Sequence, residues 1–571
     1  MNSIRKSLVI FLSLVAFLPI ISLSQVENNF EVSKNLDIYA TLLKELDKNY
    51  AEAINPGELT QAAIDAMLET LDPYTVYIPE SNAEDYKLMT TGQYGGIGAL
   101  IHKSGNYVVI SEPYEGFPAQ KAGLRAGDKI LEINGKSMKD KNSDEVSEIL
   151  KGQPGVELEL LIGRINVPDP VRMKVVREEI KIPNIPYYGL LDDGIGYIKL
   201  TNFTQNAGGE VKKAFNELKT NNELKGLIID LRGNGGGLLN EAVNISNIFV
   251  DQGQLIVSTK GKIAAKTQDH FTRSAAIDKE IPLAVLVDKN SASASEILAG
   301  AMQDLDRGVV IGQRTFGKGL VQNVIPLTYN SQVKITVAKY YIPSGRCIQS
   351  IDYFHKDENG KSDKIPDSLI SEFKTKNGRP VYDGGGIEPD IKLPALKLSK
   401  ISQALVTKYL IFDLANQYAS KHATIPVAGE FEVTDEIYTE FTAFLQDKDY
   451  DYKTASEEAL EKLKSNAVRE KYFDSIEEEY NALKGKILHD KSQDLITNKK
   501  EIKMLLKDEI VARYYFQTGR VIASLGDDPE IEKAIEVLTG RDTYLAILDG
   551  SLKPDQKEKN TETDNGSDEE E

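Results

Sequence analysis

Four short runs in the middle of the 571-residue chain are rich in apolar residues: GIGYIKL (194–200), LKGLIIDLRG (224–233), IPLAVLVD (281–288) and GVVIG (308–312). A half-buried strand alternates apolar and polar residues, so a short unbroken apolar run marks a buried strand. Between these runs lie GGEVKKAFNELK, LLNEAVNISNIF and SASEILAGAMQDL, which carry helical texture. Strand and helix in alternation predict crossover units and a mostly parallel sheet, because parallel neighbours cannot be joined by a tight hairpin. VKITVAKYYIP (333–343) reads as one more strand.

The flanking regions have other textures. Residues 30–89 are helical, with Ile64, Met67, Leu68 and Leu71 on one apolar face, and LDPY breaks the pattern at Pro73. From Tyr94 short β-branched runs alternate with Gly and Asp turns. Within them GVELELLIG alternates like a strand, and NSDEVSEILKG reads as a helix capped by Ser143 or Asp144. A small sandwich-like domain with one or two helices is predicted over 94–177. After GGGIEPDIKLP the chain turns charged, with at least four helical segments over 398–550 and no catalytic signature.

The two ends are not fold. Arg5 and Lys6 precede an apolar run over 8–23, with Ser22 and Ser24 spaced for cleavage before Gln25. That is the pattern of an export signal, and Pro19 and the modest length of the run oppose a retained anchor. The last residues, KNTETDNGSDEEE, read as a solvated, disordered tail. A formal net charge of −19 opposes general nucleic-acid binding, which needs a basic surface. Cys347 is the only cysteine, so no disulfide closes within the chain, and it reads as a small packed side chain. The five histidines, His102, His270, His355, His422 and His489, show neither metal-ligand spacing nor a catalytic context.

The stretch GQRTFGKGLVQ (312–322) nearly spells a phosphate-binding loop, but Gly319 stands where a magnesium-binding Ser or Thr is required. The residues after it are β-branched and contain Pro326, so no helix N-terminus follows to cradle an anion. Lys318 therefore needs another role. Upstream, Ser291, Ser293 and Ser295 sit where a strand ends and a helix begins, and a helix N-terminus offers amides to a developing oxyanion. In LRGNGGGLL, Gly235, Gly236 and Gly237 present bare backbone amides as a second source of donors. A serine hydroxyl needs a base. A lysine serves as one when burial disfavours its ammonium, which Phe316, Leu320 and Val321 could bring about. On a continuous strand Gln322 shares a face with Lys318 and could hold its amine. The elements fit a serine–lysine hydrolase.

In order along 30–394, LDPYTVYIP, GGIGALI, AGLRAGDKILEINGKS, LIIDLRGNGGGLL, SASASEILAGAMQD, GQRTFGKGLVQ, YYIPSGRCIQ and GGGIEPDI resemble the carboxy-terminal processing, or tail-specific, proteases. The resemblance implies Ser293 as nucleophile, Lys318 as general base and Gln322 as the residue that orients the lysine. It implies an oxyanion hole from the amides of Ala294 and of the glycine loop, at Gly236 with Gly235 as the alternative. It also implies that the region from Tyr94 is a PDZ domain. Such domains add a peptide C-terminus to a sheet edge, and loop amides at Gly96, Ile97 and Gly98 would capture its carboxylate. The implied organisation is a signal peptide (1–24), N-terminal helices (25–93), a PDZ domain (94–180), an α/β, crotonase-like protease core with a mostly parallel sheet (181–396), a C-terminal helical extension (397–550) and an acidic tail (551–571).

The expected activity is metal- and nucleotide-independent cleavage of the C-terminal tails of exported proteins, in a periplasm or cell envelope. A homodimer built on the N-terminal helices and an adaptor docked on the C-terminal helices are further expectations. Two rival readings are a PDZ scaffold on an inactive core, which would bind tails without cutting them, and a magnesium-dependent nucleotide hydrolase using Gly312 to Lys318.

Overall fold

The computed structural model describes residues 29–356, 360–488 and 491–552. The export signal read over 1–24, the acidic tail beyond Leu552 and His489 lie outside the described residues. The chain divides into two units, one ending at Tyr77 and the other beginning at Ile78. The first holds helices over 29–49 and Pro56–Glu69. Pro56 opens the second of these, where a missing N–H costs nothing, and the Asn55 side chain accepts from Gly57 N (3.0 Å) and Glu58 N (3.4 Å). Its apolar face is only partly used: Leu68 is buried, whereas Met67 is 60% exposed.

In the second unit, Ala99–Ser104, Tyr107–Pro113, Lys129–Ile133, Glu157–Gly163 and Val171–Val176 follow one another in an antiparallel sheet. Alternation in Glu157–Gly163 sends Leu158, Leu160 and Ile162 into the core beneath helix Ser143–Leu150. That helix is capped by Asn142, not by Ser143 or Asp144. Asn142 Oδ1 accepts the Glu145 N–H and Glu145 Oε2 accepts the Asn142 N–H, both at 2.8 Å. The reciprocal pair needs the polar residue three before the Glu, and Asn142 alone has that spacing. Ala99–Ser104 lies at the sheet edge.

The apolar runs form a second sheet, ordered Tyr187–Leu190, Ile195–Lys199, Gly226–Asp230, Leu283–Val287, Val309–Gly312 and Ile391–Lys392. Its first pair is antiparallel and every later pair parallel. Leu283, Val285 and Val287 face helices Ala207–Asn221, Leu239–Phe249 and Ala294–Asp304, while Ala284 and Leu286 point the other way. The residues that meet Ala284 and Leu286 come from the far end of the chain: Ile531, Ala534, Val537 and Leu538 of helix Pro529–Thr539, and Tyr544 and Leu548 of helix Arg541–Leu548. The region read as one helical extension thus contributes to two cores. Its earlier helices, from Lys400–Thr407 to the long Lys499–Ser524, have their own, built on Leu405, Leu414, Phe441, Leu506 and Ile510.

A hairpin, Leu320–Pro326 with Gln332–Tyr341, stands beside the parallel sheet and continues through Leu255–Lys260 to Gln268–Phe271. The edge-strand domain is fastened to the C-terminal helices. His102 stacks on Tyr409 with ring centroids 4.1 Å apart, and Arg520 pairs with the buried Glu112 at 2.9 Å. Among the described residues no helix is long and apolar enough to cross a membrane.

Candidate active site

Of the three serines at the end of strand Leu283–Val287, the structure leaves one open. Ser291 and Ser295 are fully buried. Ser291 Oγ accepts the Asp288 N–H and donates to Leu231 O, both at 2.9 Å, and Ser295 Oγ donates to Asn234 O at 2.8 Å. Their hydroxyls fasten the turn to the glycine loop. Ser293 is half-buried and directly precedes helix Ala294–Asp304. Its backbone has φ +57° and ψ −114°, a region that a residue with a Cβ adopts only when its surroundings force it.

What holds that turn is Glu296, one helical turn on and wholly buried. Its Oε2 accepts the N–H groups of Ser293 (2.8 Å) and Lys318 (2.9 Å). Its Oε1 accepts Thr315 Oγ1 (2.6 Å) and the Gly317 N–H (2.8 Å). One carboxylate therefore spans the serine turn and the lysine loop. Burial pushes its titration up to about 7, although all four donors oppose the shift. Tyr340 adds a second bridge, its hydroxyl lying within bonding distance of the Ser293 carbonyl (3.2 Å) and of the Lys318 carbonyl. Neither residue was singled out from sequence. Glu296 carried a signal, the Ser-x-x-Glu spacing of a capping box, whereas Tyr340 sat in a run legible only as strand.

The glycine loop packs directly on this turn. A Cβ on Gly236 would lie 2.8 Å from Ala294 N and 2.8 Å from Ser293 Cβ, so no side chain fits there. Its φ of +97° also suits glycine alone. The Gly236 N–H donates to Asn234 Oδ1 at 2.8 Å, and Asn234 Nδ2 donates to Leu200 O at 2.7 Å. Gly235 has no atom within 4 Å of the position its Cβ would take. At the loop's root Asp230 is wholly buried, and it accepts from Tyr197 Oη (2.7 Å) and from Arg232 Nη2 (2.7 Å), with Lys199 Nζ at 3.1 Å. Burial pushes Asp230 up, but Lys199 and Arg232 outweigh it and hold its carboxyl well below the usual range.

Lys318 is half-buried in the loop that precedes strand Leu320–Pro326. The alternation used to align Gln322 with it does not apply, because Lys318 lies outside the strand and a bulge falls between Val321 and Gln322. Gln322 faces Thr336 across the hairpin, and its Nε2 donates to Thr336 Oγ1 at 3.2 Å. The apolar setting of the loop is also thinner than expected. Leu320 is buried and Val321 half-buried, but Phe316 is 47% exposed.

Three of the four described histidines are engaged elsewhere: His102 Nδ1 bonds Ser111 Oγ at 2.6 Å, His355 pairs with Asp352, and His422 stacks on Tyr418; the fourth, His270, lies on strand Gln268–Phe271 opposite Val257. Cys347 is half-buried, and burial pushes its thiol up. Among the described residues no cluster of His, Cys, Asp or Glu could hold a metal ion.

The residues read as a carboxylate loop lie between two strands. Gly96 ends strand Gln93–Gly96, which pairs with Glu178–Lys181. The carbonyls of Ile97 and Gly98 are tied inward, accepting from Ala119 N (2.8 Å) and Tyr114 N (2.9 Å). A small groove lies there between the edge strand and helix Ser143–Leu150, lined by Tyr94, Ile97, Ile101, Leu150 and Lys151.

Three family profiles match the chain: peptidase family S41 over residues 194–354, a PDZ domain over 109–164, and "Probable PDZ-protease, C-terminal helical domain" over 401–538. A carboxy-terminal-processing protease of Bartonella bacilliformis is 34% identical over 342 residues, covering 59% of this chain and 77% of that protein. A "Probable CtpA-like serine protease" of Staphylococcus aureus is 33% identical over 428 residues, covering 72% of this chain and 82% of that protein. Among solved structures, a photosystem II D1 C-terminal processing protease is 28% identical with a TM-score of 0.34, covering 62% of this chain and 86% of that one.

Proposed function

The chain belongs to the carboxy-terminal processing proteases of peptidase family S41, and from that premise we propose that it cuts exported proteins after taking their C-terminal tails on its PDZ domain, with Ser293 as nucleophile and Lys318 as base. The observation that carries this reading is the strained, half-buried Ser293, joined to the lysine loop by Glu296 and packed against the glycine loop at Gly236.

This assignment of roles sets the chemistry. The neutral Lys318 amine takes the proton of Ser293 Oγ as the oxygen attacks the scissile carbonyl carbon. The carbonyl oxygen becomes an oxyanion, stabilised by the Ala294 amide and by the glycine loop. For Gly236 to donate there, its N–H must leave Asn234 Oδ1; Gly235 is the alternative donor. The tetrahedral intermediate collapses, the C–N bond breaks, and the Lys318 ammonium returns the proton to the leaving amine. Water then attacks the acyl ester, giving its proton to Lys318, and the Lys318 ammonium passes that proton to the ester oxygen, which leaves as the Ser293 hydroxyl. Gln322 steadies the lysine from the hairpin.

The tail enters as an added strand on Ala99–Ser104, its terminal carboxylate on the amides of Gly96, Ile97 and Gly98 and its last side chain in the apolar groove. The parallel sheet supports the crotonase-like assignment of the core over 181–396, and the antiparallel sheet supports a PDZ domain over 94–180. The helical region over 397–550 is the candidate docking surface for an adaptor. The N-terminal helices, with Phe30 and Tyr50 each more than half exposed, are the candidate dimer contact. Export to a periplasm or cell envelope rests on the N-terminal residues.

The test compares the parent with Ser293→Ala and Lys318→Ala on an unfolded protein ending in apolar residues and on the same protein ending in charges. Only the parent should cut, with the apolar tail preferred and the rate in either variant down by about 10⁴-fold or more. Cleavage surviving Ser293→Ala would sink the assignment, and tail binding without turnover in the parent would favour a scaffold.

A further inference from the structure

The glycine loop does not rest on the protease core alone. Its Arg232 is 18% exposed and faces two ways. Toward the sheet, Nη2 and Nε reach Asp230 at 2.7 and 3.0 Å. Toward the far end of the chain, Nη1 meets Asp528 Oδ2 and Glu530 Oε2, both at 2.7 Å. Asp528 is also the N-cap of helix Pro529–Thr539, its other oxygen accepting Glu530 N at 2.9 Å and Ile531 N at 3.2 Å. The second oxygen of Glu530 takes Gln313 Nε2 at 3.3 Å. Gln313 opens the loop that carries Lys318, and its own N–H is anchored on Val287 O at 3.0 Å.

Of these two acidic residues from the C-terminal region, Asp528 thus touches the glycine loop, and Glu530 touches both loops that converge on Ser293. From Arg232 the chain runs straight into the catalytic neighbourhood. Gly233 N donates to Asp288 Oδ1 at 2.9 Å, and Asn234 O accepts from Ala292 N at 3.0 Å. Arg232 carries three acidic partners, while Asp230 must also serve Lys199 and Tyr197. Without Asp528 and Glu530 the guanidinium keeps a single shared carboxylate and a half-buried, unmatched side.

We propose that Asp528 and Glu530 are positioning residues of the protease, locking the glycine loop through Arg232 and the lysine loop through Gln313, so that the C-terminal helix is a working part of the catalytic site. This rests on the reading of Ser293 and its oxyanion donors given above. The physical reason is geometric. Oxyanion stabilisation requires donors fixed before reaction, and a misplacement of about 1 Å can cost about 10²-fold in rate. The helix is held in turn by the apolar contacts of Ile531, Ala534 and Leu538 with the sheet, which makes it a rigid support.

The test uses the full chain with Asp528→Asn and Glu530→Gln, singly and together. Asn caps a helix as well as Asp does, so Asp528→Asn removes the charge that faces Arg232 and keeps the helix start. Lys533→Ala, on the same helix, is the control. Three quantities are read: kcat and KM on the apolar-tailed protein, affinity for a peptide boronic acid that forms a tetrahedral adduct on the serine, and affinity for a tail peptide. In the double variant kcat and boronate affinity should each fall about tenfold to a hundredfold, with KM and tail-peptide affinity within about twofold. Lys533→Ala should match the parent. An unchanged kcat overturns the proposal. So does a loss of kcat accompanied by equal losses of tail affinity and of the cooperative melting transition, which marks general unfolding. If the double variant does not fold, Asp528→Asn alone decides by the same criteria. Ser293→Ala separates the layers: if it cuts as the parent does, the site assignment itself has failed and this inference falls with it.

Discussion

Asp230, at the root of the glycine loop, and Glu296, behind the serine turn and the lysine loop, are both fully buried carboxylates, yet they are held in opposite ways. Asp230 has cations beside it, Lys199 and Arg232, and is kept well below the ordinary aspartate range despite its burial. Glu296 has hydrogen-bond donors, three backbone N–H groups and the Thr315 hydroxyl, and burial carries it up to about 7. Dipoles recover less of the desolvation cost of a charge than a full opposite charge does. What Glu296 provides is directional: four fixed donors on one carboxylate set the distance between the serine turn and the lysine loop. Asp230 provides charge, anchoring an arginine whose other side reaches the C-terminal helix.

Asp230→Asn should be the most damaging change. It leaves Lys199 and Arg232 facing a neutral amide in a buried site and should cost about 3–5 kcal/mol in urea unfolding. A loss no greater than that of Glu296→Gln would erase the distinction between the two carboxylates. Glu296→Gln comes second. It turns an NH₂ toward groups that are themselves donors, at a cost of about 1–3 kcal/mol. Its main effect should be on kcat, which falls about tenfold or more as the serine turn and the lysine loop separate, while tail-peptide affinity holds. Steady-state kinetics beside a tail-binding titration would decide this.

The third prediction concerns pH, where the two carboxylates act in opposite directions. Glu296 has its titration raised, so its contribution is fully present below the ordinary glutamate value of 4.5 and is lost as pH rises through about 7. Asp230 is depressed, so its contribution is present above the ordinary value of 3.8 and is lost only as pH falls through its lower folded value. Between about pH 5 and pH 8 the parent should therefore lose up to about 3 kcal/mol relative to Glu296→Gln. A stability difference that stays flat across that window would contradict the raised titration. The smallest effect is Thr315→Val, which removes one of the four donors to Glu296 and the acceptor of the Ile387 N–H. It should cost about 1 kcal/mol and move the pH transition of Glu296 further up, as read from the pH dependence of melting.

Much of the neighbourhood was legible because it is local. Ser293 and its flanking serines lie in one strand-to-helix turn, and the three glycines of the facing loop are consecutive. The structure then separates the serines by burial, since Ser291 and Ser295 spend their hydroxyls on Leu231 and Asn234. Gln322 shows where local periodicity fails. A bulge shifts the register by one residue, and no sequence rule announces it. Asn142 shows a smaller miss of the same kind, a helix start displaced by one residue although the Asn-x-x-Glu box was present.

Apolar runs such as LAVLV determined by themselves that this chain contains buried strands, and the helical stretches between them determined a parallel arrangement, because each is short enough to be written within one segment. What the sequence could not determine is what covers the second face of that sheet. Ala284 and Leu286 are as apolar as Val285, but nothing in them names Ile531, Val537 or Tyr544 as their partners. The hydrophobic effect is non-directional and indifferent to distance along the chain. Only the tertiary structure, by closing the chain's far end onto the sheet, brought Asp528 and Glu530 to Arg232 and made a distant helix a neighbour of Ser293's glycine loop.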